Sequence, residues 1–523
     1  MDHVARLLHD LSQPSAYPFP VAQVEVRQTH ISLVFLAGEW VYKVKKPVKL
    51  AFLDFSTVQL RCKFCAEEVR LNQRLAPKVY QGVVPVSSTP SGLKFEGDGE
   101  VVDWAVKMVR LPEEATLEQR LLRGELREET VCALGERLAS FHARADVGNF
   151  YCDFPHVARN ARENLQAAAT QTGVCLSVSV LDHLLHWQEA HLTLQAPRIT
   201  ARALIGKGRD THGDLHLDHI YYFPDQPPPE ELVIIDCIEF NKAFRSADPV
   251  ADMAFTYMDL CYHGRRDLAN LFADAYFAAS DDVEGRKLLP FYSAYRAMVR
   301  GKVEGITLTE KEIPEAERHH AQQQARAHWL LALGELAEPK EKPCLLLIGG
   351  LPGSGKSTLA QALADQANFQ VLRSDVIRKE LARQVPTRSD FGTGLYTPEW
   401  DERVYLECLR RVEALLWEGR RVILDASFRA EHFRTLFLTA AVRWGVPGWL
   451  LFCEAPLAML QQRVTQRQGD ASDADAAICA AAAARWEAPV AATLRQVKVI
   501  DTSQAIPQVV EQALTWLKSV DLV

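Results

Sequence analysis

One short stretch limits what this chain can fold into more than any other: GLPGSGKS, Gly350 to Ser357. It follows the apolar run CLLLIGG and precedes STLAQALADQA, whose apolar spacing is helical. A buried strand, a glycine-rich turn and a helix N-terminus in that order gather backbone N–H groups and the positive end of a helix dipole at one point, which suits a phosphate. In such a turn Gly350, Pro352, Gly353, Ser354 and Gly355 shape the cradle, with Thr358 just inside the helix. Lys356 reaches the outer phosphates and Ser357 is placed to hold Mg2+. The remaining back half is then expected to be a parallel sheet between helices. Its apolar runs FQVLRSD, RVILDAS, GWLLFCEA and VKVIDTS alternate with helical stretches in that way.

At 523 residues the chain exceeds what one core serves, so at least two domains are expected. The clearest boundary is ELAEPKEKP, Glu335 to Pro343, which gives a first domain at 1–336, a linker at 337–343 and a second domain at 344–523. The first domain is strand-rich to about residue 110. There AQVEVRQTHISLVFLAGEWVYKVKK alternates apolar and polar residues over two expected strands joined at AGEW, and helical patterns dominate from about residue 116 onward. A small β-containing lobe (1–110) and a helical lobe (116–336) follow from this. Between HIYYF and LVIID, the proline-rich PDQPPPEE reads as a hairpin loop. A net charge of −8 argues against a general nucleic-acid surface, and no apolar run is long enough to span a bilayer. The start lacks a basic-then-apolar leader, so a cytoplasmic location is expected, in keeping with eleven cysteines that sit mostly in apolar contexts. Cys62 and Cys65 have a CxxC spacing, but no second pair accompanies them.

Downstream of the glycine-rich turn, VLRSDVIRKEL puts Asp375 and Arg378 after the second apolar run, and RVILDASF ends the third on Asp425, a candidate for the magnesium shell. QQRVTQRQ offers Arg463 and Arg467 on one helix face, where two guanidinium groups can close over a transferring phosphoryl. For Asp375 the plainer alternative is a helix N-cap, and for the arginine pair a solvated helix face. This set resembles the small P-loop kinases that phosphorylate a hydroxyl, the group of gluconate kinase, polynucleotide kinase and the zeta toxins. The resemblance implies that Asp375 takes the acceptor's proton and that Arg378 binds the acceptor.

In the front half, GRDTHGDLHLDHIYYF crowds histidines and aspartates together. It suits either a metal site built from His212, His216 and His219 or a loop in which one aspartate handles a proton. Kinase-like loops need an aspartate, a magnesium-side ligand five residues later and a second aspartate at a strand end. Asp214, His219 and Asp236 (in LVIIDCIEFN) stand at those places. Upstream, WVYKVKK supplies Lys43 or Lys45 on one strand face, and CAEEVRLN supplies Glu67 or Glu68 on a helix.

That order, continued through LASFHARA and SADPVADMAF, resembles the aminoglycoside phosphotransferase family over roughly residues 25–300. The resemblance implies a bilobal, protein-kinase-like α+β fold with Asp214 as the catalytic aspartate and Asp236 as the chief magnesium ligand. Lys43 becomes the phosphate lysine, Glu68 its partner, and Asp252 the buried brace of the catalytic loop. His219 stands at the metal position where that family has asparagine, and a hard cation takes imidazole poorly, so the second metal is expected to be weakened there or its role handed to Asp218. The tandem resembles bacterial fusions of such a domain with a P-loop kinase domain. The expectation is an ATP- and Mg2+-dependent phosphotransferase with two sites, each acting on a hydroxyl of an unidentified small molecule. Two alternatives stay open. In one, only the P-loop half is catalytic, on a polynucleotide or nucleotide-type acceptor, with the front half a scaffold; the other is an ATP-driven regulatory protein. Oligomeric state is not legible.

Overall fold

Alternation along Trp40–Lys45 sends Tyr42 and Val44 to one side of the strand and Val41, Lys43 and Lys45 to the other. The first side builds a core with Leu33, Phe35 and Phe95 and with Leu7 and Leu11 of the helix His3–Leu11. On the other side, Val106 and Met108 pack with Cys65 of the helix Val58–Asn72. That helix begins where the Thr57 side chain accepts the Leu60 N–H, an N-cap that satisfies one of its free donors. A computed structural model describes residues 3–50, 53–148, 151–308, 313–382, 397–466 and 476–523. The chain groups into two compact units: Met1–Val157 with Ala196–Leu260 and Arg266–Leu289, and Ala158–Gln195 with Cys261–Arg265 and Pro290–Val523.

The first unit holds an antiparallel sheet in the order Val24–Gln28, Ser32–Ala37, Trp40–Lys45, Glu100–Val109, Tyr80–Thr89, Gly92–Phe95. The stretch expected to give two strands gives three. Thr29 closes an extra turn, its Oγ1 accepting the Ser32 N–H at 3.0 Å, although no glycine or proline announces it. In the same unit the helices Glu128–Arg144 and Arg266–Ser280 pack on each other closely enough that a Cβ on Gly135 would meet the Phe272 carbonyl oxygen at 2.7 Å. The expected hairpin is present as Ile220–Tyr222 paired antiparallel with Leu232–Ile234. A small sheet lobe followed by helices is the kinase-like α+β arrangement.

The second unit is α/β. Its five parallel strands are the five apolar runs, ordered Gln370–Arg373, Arg421–Asp425, Cys344–Gly349, Gly448–Glu454, Val497–Asp501. Cys344–Gly349 and Arg421–Asp425 are buried throughout because helices cover both faces. The grouping differs from a division at 337–343: Ala158–Gln195 and residues 290–336, expected in the front helical lobe, belong to this unit. Contacts explain why. The Arg326 guanidinium stacks 3.7 Å above the Trp444 ring, Ser179 Oγ donates to the Glu418 carbonyl at 3.1 Å, and Gly445 leaves room for the Ala327 carbonyl. The charged stretch read as a linker is itself held, with Arg421 Nη1 donating to the Pro339 carbonyl at 2.6 Å and the Lys342 carbonyl at 3.1 Å. Among the described residues no helix is long and apolar enough to cross a membrane.

Candidate active sites

In the first unit the strand lysines, the helix glutamate and the strand-end aspartate come together. Lys43 Nζ lies 2.5 Å from Asp236 Oδ1 and 3.0 Å from Glu68 Oε1. Lys45 Nζ lies 2.6 Å from Glu68 Oε2 and is also bonded to Glu239, a partner the sequence reading missed. Glu67, the alternative to Glu68, turns to Arg70 and Arg245 instead. Asp236 has φ 64°, a left-handed backbone unusual for a residue with a side chain, and its N–H donates to Tyr80 Oη at 3.2 Å. Burial would raise its carboxyl, but Lys43 and then His219 outweigh that and bring it down to about 2. Burial opposes ionisation of Glu68 too, and the two lysines reverse it so that its carboxyl sits low; for Glu239 burial prevails and its carboxyl is pushed up.

The loop carrying Asp214 hangs from Asp252, which is fully buried. Asp252 accepts the His212 N–H at 3.0 Å and the Gly213 N–H at 2.7 Å, and His142 Nε2 donates to it at 3.0 Å. The three histidines of the cluster do not converge on a metal. Among the described residues no group of three or more His, Cys, Asp or Glu is placed to hold one. His212 Nε2 donates to the Ile235 carbonyl at 2.9 Å and its Nδ1 accepts the Asp214 N–H at 3.3 Å. Burial pulls its imidazole down to about 4, so it is neutral. His216 spans two carboxylates, with Nε2 at 2.9 Å from Asp214 Oδ1 and Nδ1 at 3.1 Å from Asp259 Oδ2. Burial would depress it, yet Asp214 and then Asp259 overcome that and lift it to about 10. His219 donates through Nδ1 to the Asp214 carbonyl at 3.0 Å, and the carboxylates of Asp218, Asp214 and Asp236 raise its imidazole against the effect of burial. Asp218 itself is exposed on a short turn.

In the second unit the glycine-rich turn joins Cys344–Gly349 to the helix Lys356–Ala367, as its sequence requires. Gly353 and Gly355 adopt φ 82° and 83°, and a Cβ on Gly353 would meet the Leu460 carbonyl oxygen at 2.6 Å. A cleft of about 300 Å³ opens on the turn, lined by Gly353, Gly355, Lys356, Ser357 and Thr358 and by Arg463. Its further wall, Thr502, Gln504, Ile506, Val509 and Val510, escaped the sequence reading because nothing in that composition marks a ligand. Ser354 is buried beneath the turn, against which Gly350 packs; Pro352's carbonyl accepts from Cys479 Sγ at 3.5 Å. Arg463 Nη2 donates to the Thr502 carbonyl at 2.9 Å, whereas Arg467 lies outside the described residues. Asp375 lies in the first turn of the helix Ser374–Ala382. One turn on, Arg378 Nη2 donates to Asp401 Oδ1 at 2.6 Å, and Arg429 Nη2 approaches Asp401 Oδ2 at 3.3 Å.

The donor sets can be tested for Mg2+. Ser357 Oγ donates to Asp425 Oδ2 at 2.5 Å, Arg373 Nε lies 3.3 Å from the same oxygen, and the buried Asp425 Oδ1 makes no hydrogen bond. Two hard oxygens side by side, one with an unsatisfied neighbour atom, fit Mg2+ or a water of its shell. Asp236, with a side chain 40% exposed, fits as well, while His219 offers nitrogen only.

Residues 345–489 match the family described as AAA domain. Over a longer span the chain is similar to three mycobacterial proteins: Rv2004c and MT2060 of Mycobacterium tuberculosis and Mb2027c of Mycobacterium bovis, each an uncharacterized protein. Each is 33% identical over 468 residues, covering 88% of this chain and 90% of the relative. The chain belongs to their family. Among solved structures, a sugar kinase from Janibacter sp. HTCC2649 aligns at 22% identity and TM-score 0.27, covering 34% of this chain and 94% of that one. A gluconokinase from Sinorhizobium meliloti 1021 aligns at 17% and 0.27 with the same coverage. The GDP complex of aminoglycoside 2'-phosphotransferase-IIIa aligns at 14% and 0.36, covering 62% of this chain and 97% of that one.

Proposed function

We propose that this protein is an ATP- and Mg2+-dependent phosphotransferase with two sites, each moving a γ-phosphate to a hydroxyl of a small-molecule acceptor. The observation that carries the reading is the Asp252 brace: a buried carboxylate grips two consecutive backbone N–H groups and an imidazole, and so fixes the loop that presents Asp214. A loop held this firmly suits a carboxylate that must meet an acceptor oxygen in one orientation. In the transfer the acceptor oxygen bonds to the γ-phosphorus, the bond to the ADP oxygen breaks, and the hydroxyl proton passes to Asp214. Lys43, steadied by Glu68, holds the nucleotide phosphates, and Asp236 would hold the metal, with His219 beside it bonded to the Asp214 carbonyl. In the second unit the backbone from Gly350 to Gly355 and Lys356 cradle the phosphates, and Ser357 and Asp425 would hold Mg2+. Asp375 receives the proton there, Arg378 binds the acceptor and Arg463 faces the transferring group. Bound Mg2+ would supply charge neutralisation between the β- and γ-phosphates.

A second reading, in which only the P-loop site is active on a polynucleotide or nucleotide-type acceptor, is favoured by His219 alone, a nitrogen ligand raised toward its cationic form. Transfer from γ-labelled ATP into a bacterial metabolite and RNA extract separates the two. With two sites, distinct labelled products vanish in Asp214→Ala and in Asp375→Ala, and Lys356→Ala removes only the latter. Label lost in Asp375→Ala alone establishes the second reading, and release of free phosphate without any labelled acceptor refutes both.

A further inference from the structure

Two lysines, not one, meet Glu68, and they differ in what can reach them. Lys45 is fully buried, and its partners Glu68 and Glu239 are 1% and 7% exposed at the side chain. Lys43 is 15% exposed and Asp236 40%, so an incoming phosphate meets only this outer pair. We propose that Lys45 is a positioning residue of the first unit's site, the standing counter-ion of Glu68 and Glu239, whose presence leaves Lys43 free to exchange Asp236 for a nucleotide phosphate. The proposal rests on the two-site reading and says how its front site is set.

Lys43 now serves Asp236 at 2.5 Å and Glu68 at 3.0 Å together. When a phosphate draws Lys43 outward and Asp236 turns to a metal, the buried Glu68 carboxylate loses part of its compensation, which is costly in a water-poor setting. Lys45, 2.6 Å from the other oxygen of Glu68, stays behind and keeps it paired. Without Lys45, Lys43 would be the sole cation for two buried carboxylates and would be drawn inward.

A simple fastening role for Lys45 is less apt, because the helix is already tied to the same segment. Asn72 Oδ1 accepts the Cys237 N–H at 2.9 Å and Arg245 Nη2 donates to Glu67 Oε1 at 2.8 Å. Fastening and charge supply also predict opposite results when Glu239 is neutralised in a chain that has lost Lys45.

The test uses the full chain carrying Lys356→Ala, which silences the P-loop site, and reads Mg·ATP affinity by calorimetry with circular dichroism as the check on folding. Lys45→Met is expected to weaken binding at least tenfold, roughly the effect of one buried charge left without its partner. Adding Glu239→Gln to Lys45→Met leaves Lys43 answering to one buried carboxylate instead of two and should bring affinity back to within about tenfold of the parent and above that of Lys45→Met, a coupling between neighbours of opposite sign to additive damage. A double variant no tighter than Lys45→Met, or a Lys45→Met that binds like the parent, overturns the proposal. Without nucleotide, Lys43 in the double variant still pairs the one buried carboxylate that remains, Glu68. If Lys45→Met alone does not fold, the double is compared directly with the parent, and a loss beyond about tenfold overturns the proposal. Absence of any Mg·ATP binding in the Lys356→Ala chain refutes the two-site reading itself, and this proposal with it.

Discussion

Replacing Asp252 tests how the front catalytic loop is held. Its carboxylate accepts from His212 N–H, Gly213 N–H and His142 Nε2 at 3.0, 2.7 and 3.0 Å, and all of these donors are buried. In Asp252→Ala the donors lose their acceptor, and at about 1–3 kcal/mol for each orphaned group the cost comes to about 3–6 kcal/mol if water enters to relieve part of it. Against the 5–15 kcal/mol that holds a typical domain, roughly, this is a serious fraction. Asp252→Asn is the finer probe. Its single amide oxygen can still accept while its NH2 faces a donor, so the loss is near one charge-assisted bond, about 1.5–3 kcal/mol. Expressed locally, amides of residues 212–217 should exchange with solvent roughly tenfold to a hundredfold faster, read by hydrogen-exchange mass spectrometry. The front-site rate should fall with the KM for ATP nearly unchanged, because Asp252 touches the loop and not the nucleotide. Unchanged exchange over 212–217 in Asp252→Asn would refute the brace.

The His216 imidazole is held near pKa 10 in the folded chain against about 6.5 when unfolded, so its contribution is complete below 6.5 and is lost as pH rises through 10. Urea unfolding should show wild-type stability falling between pH 7 and 9.5, and His216→Gln should be weaker at pH 7 and flatter over that range; parallel profiles would argue against the Asp214–His216–Asp259 chain. Gly353→Ala and Gly355→Ala share a left-handed backbone penalty of about 1–2 kcal/mol, but only the former drives a Cβ to 2.6 Å from the Leu460 carbonyl oxygen. Gly353→Ala should therefore lose distinctly more ATP affinity at the P-loop site, and equal losses would show that the turn shifts freely. A fragment of residues 344–523 lacks the helices that cover Trp444, Gly445 and the Glu418 carbonyl, so it should aggregate or unfold without cooperativity in circular dichroism. A soluble, cooperatively folded fragment contradicts that packing.

What was legible in the sequence was what neighbouring residues decide together. The five parallel strands of the second unit and the turn at Gly350–Ser357 are local patterns, and each run became a strand. Order and spacing left Lys43 or Lys45 and Glu67 or Glu68 open, and the choice of Lys43, Glu68 and Asp236 rested on the resemblance; the structure places Lys43 within 3.0 Å of both acids. Other features depend on what arrives from far along the chain. Glu239 stands in the quoted run LVIIDCIEFN, yet its use is invisible until Lys45 lies against it. The stretch ELAEPKEKP has a linker's composition, but Arg421 holds its carbonyls, and composition reports loop chemistry rather than freedom. The turn at Thr29 is made by a hydroxyl, which competes with the ladder for one N–H and leaves no glycine or proline to mark it.

The histidine cluster shows the same division within one stretch. His212, His216 and His219 are identical in chemistry and nearly adjacent, and beyond the place of His219 five residues after Asp214 the sequence offers no ground for separating them. Their environments do. His212 meets a carbonyl and an amide and stays neutral, His216 meets two carboxylates and is charged, and His219 lends one nitrogen to the backbone of Asp214. A metal would need the three to present lone pairs to one point, whereas here His216 donates from both nitrogens and His212 from one. The crowding therefore builds a loop in which each imidazole holds Asp214 or its backbone from a different side. The charge beside the Asp214 carboxylate comes from His216, so a change there should alter both the loop's hold and its charge, whereas a change at the neutral His212 should alter the hold alone.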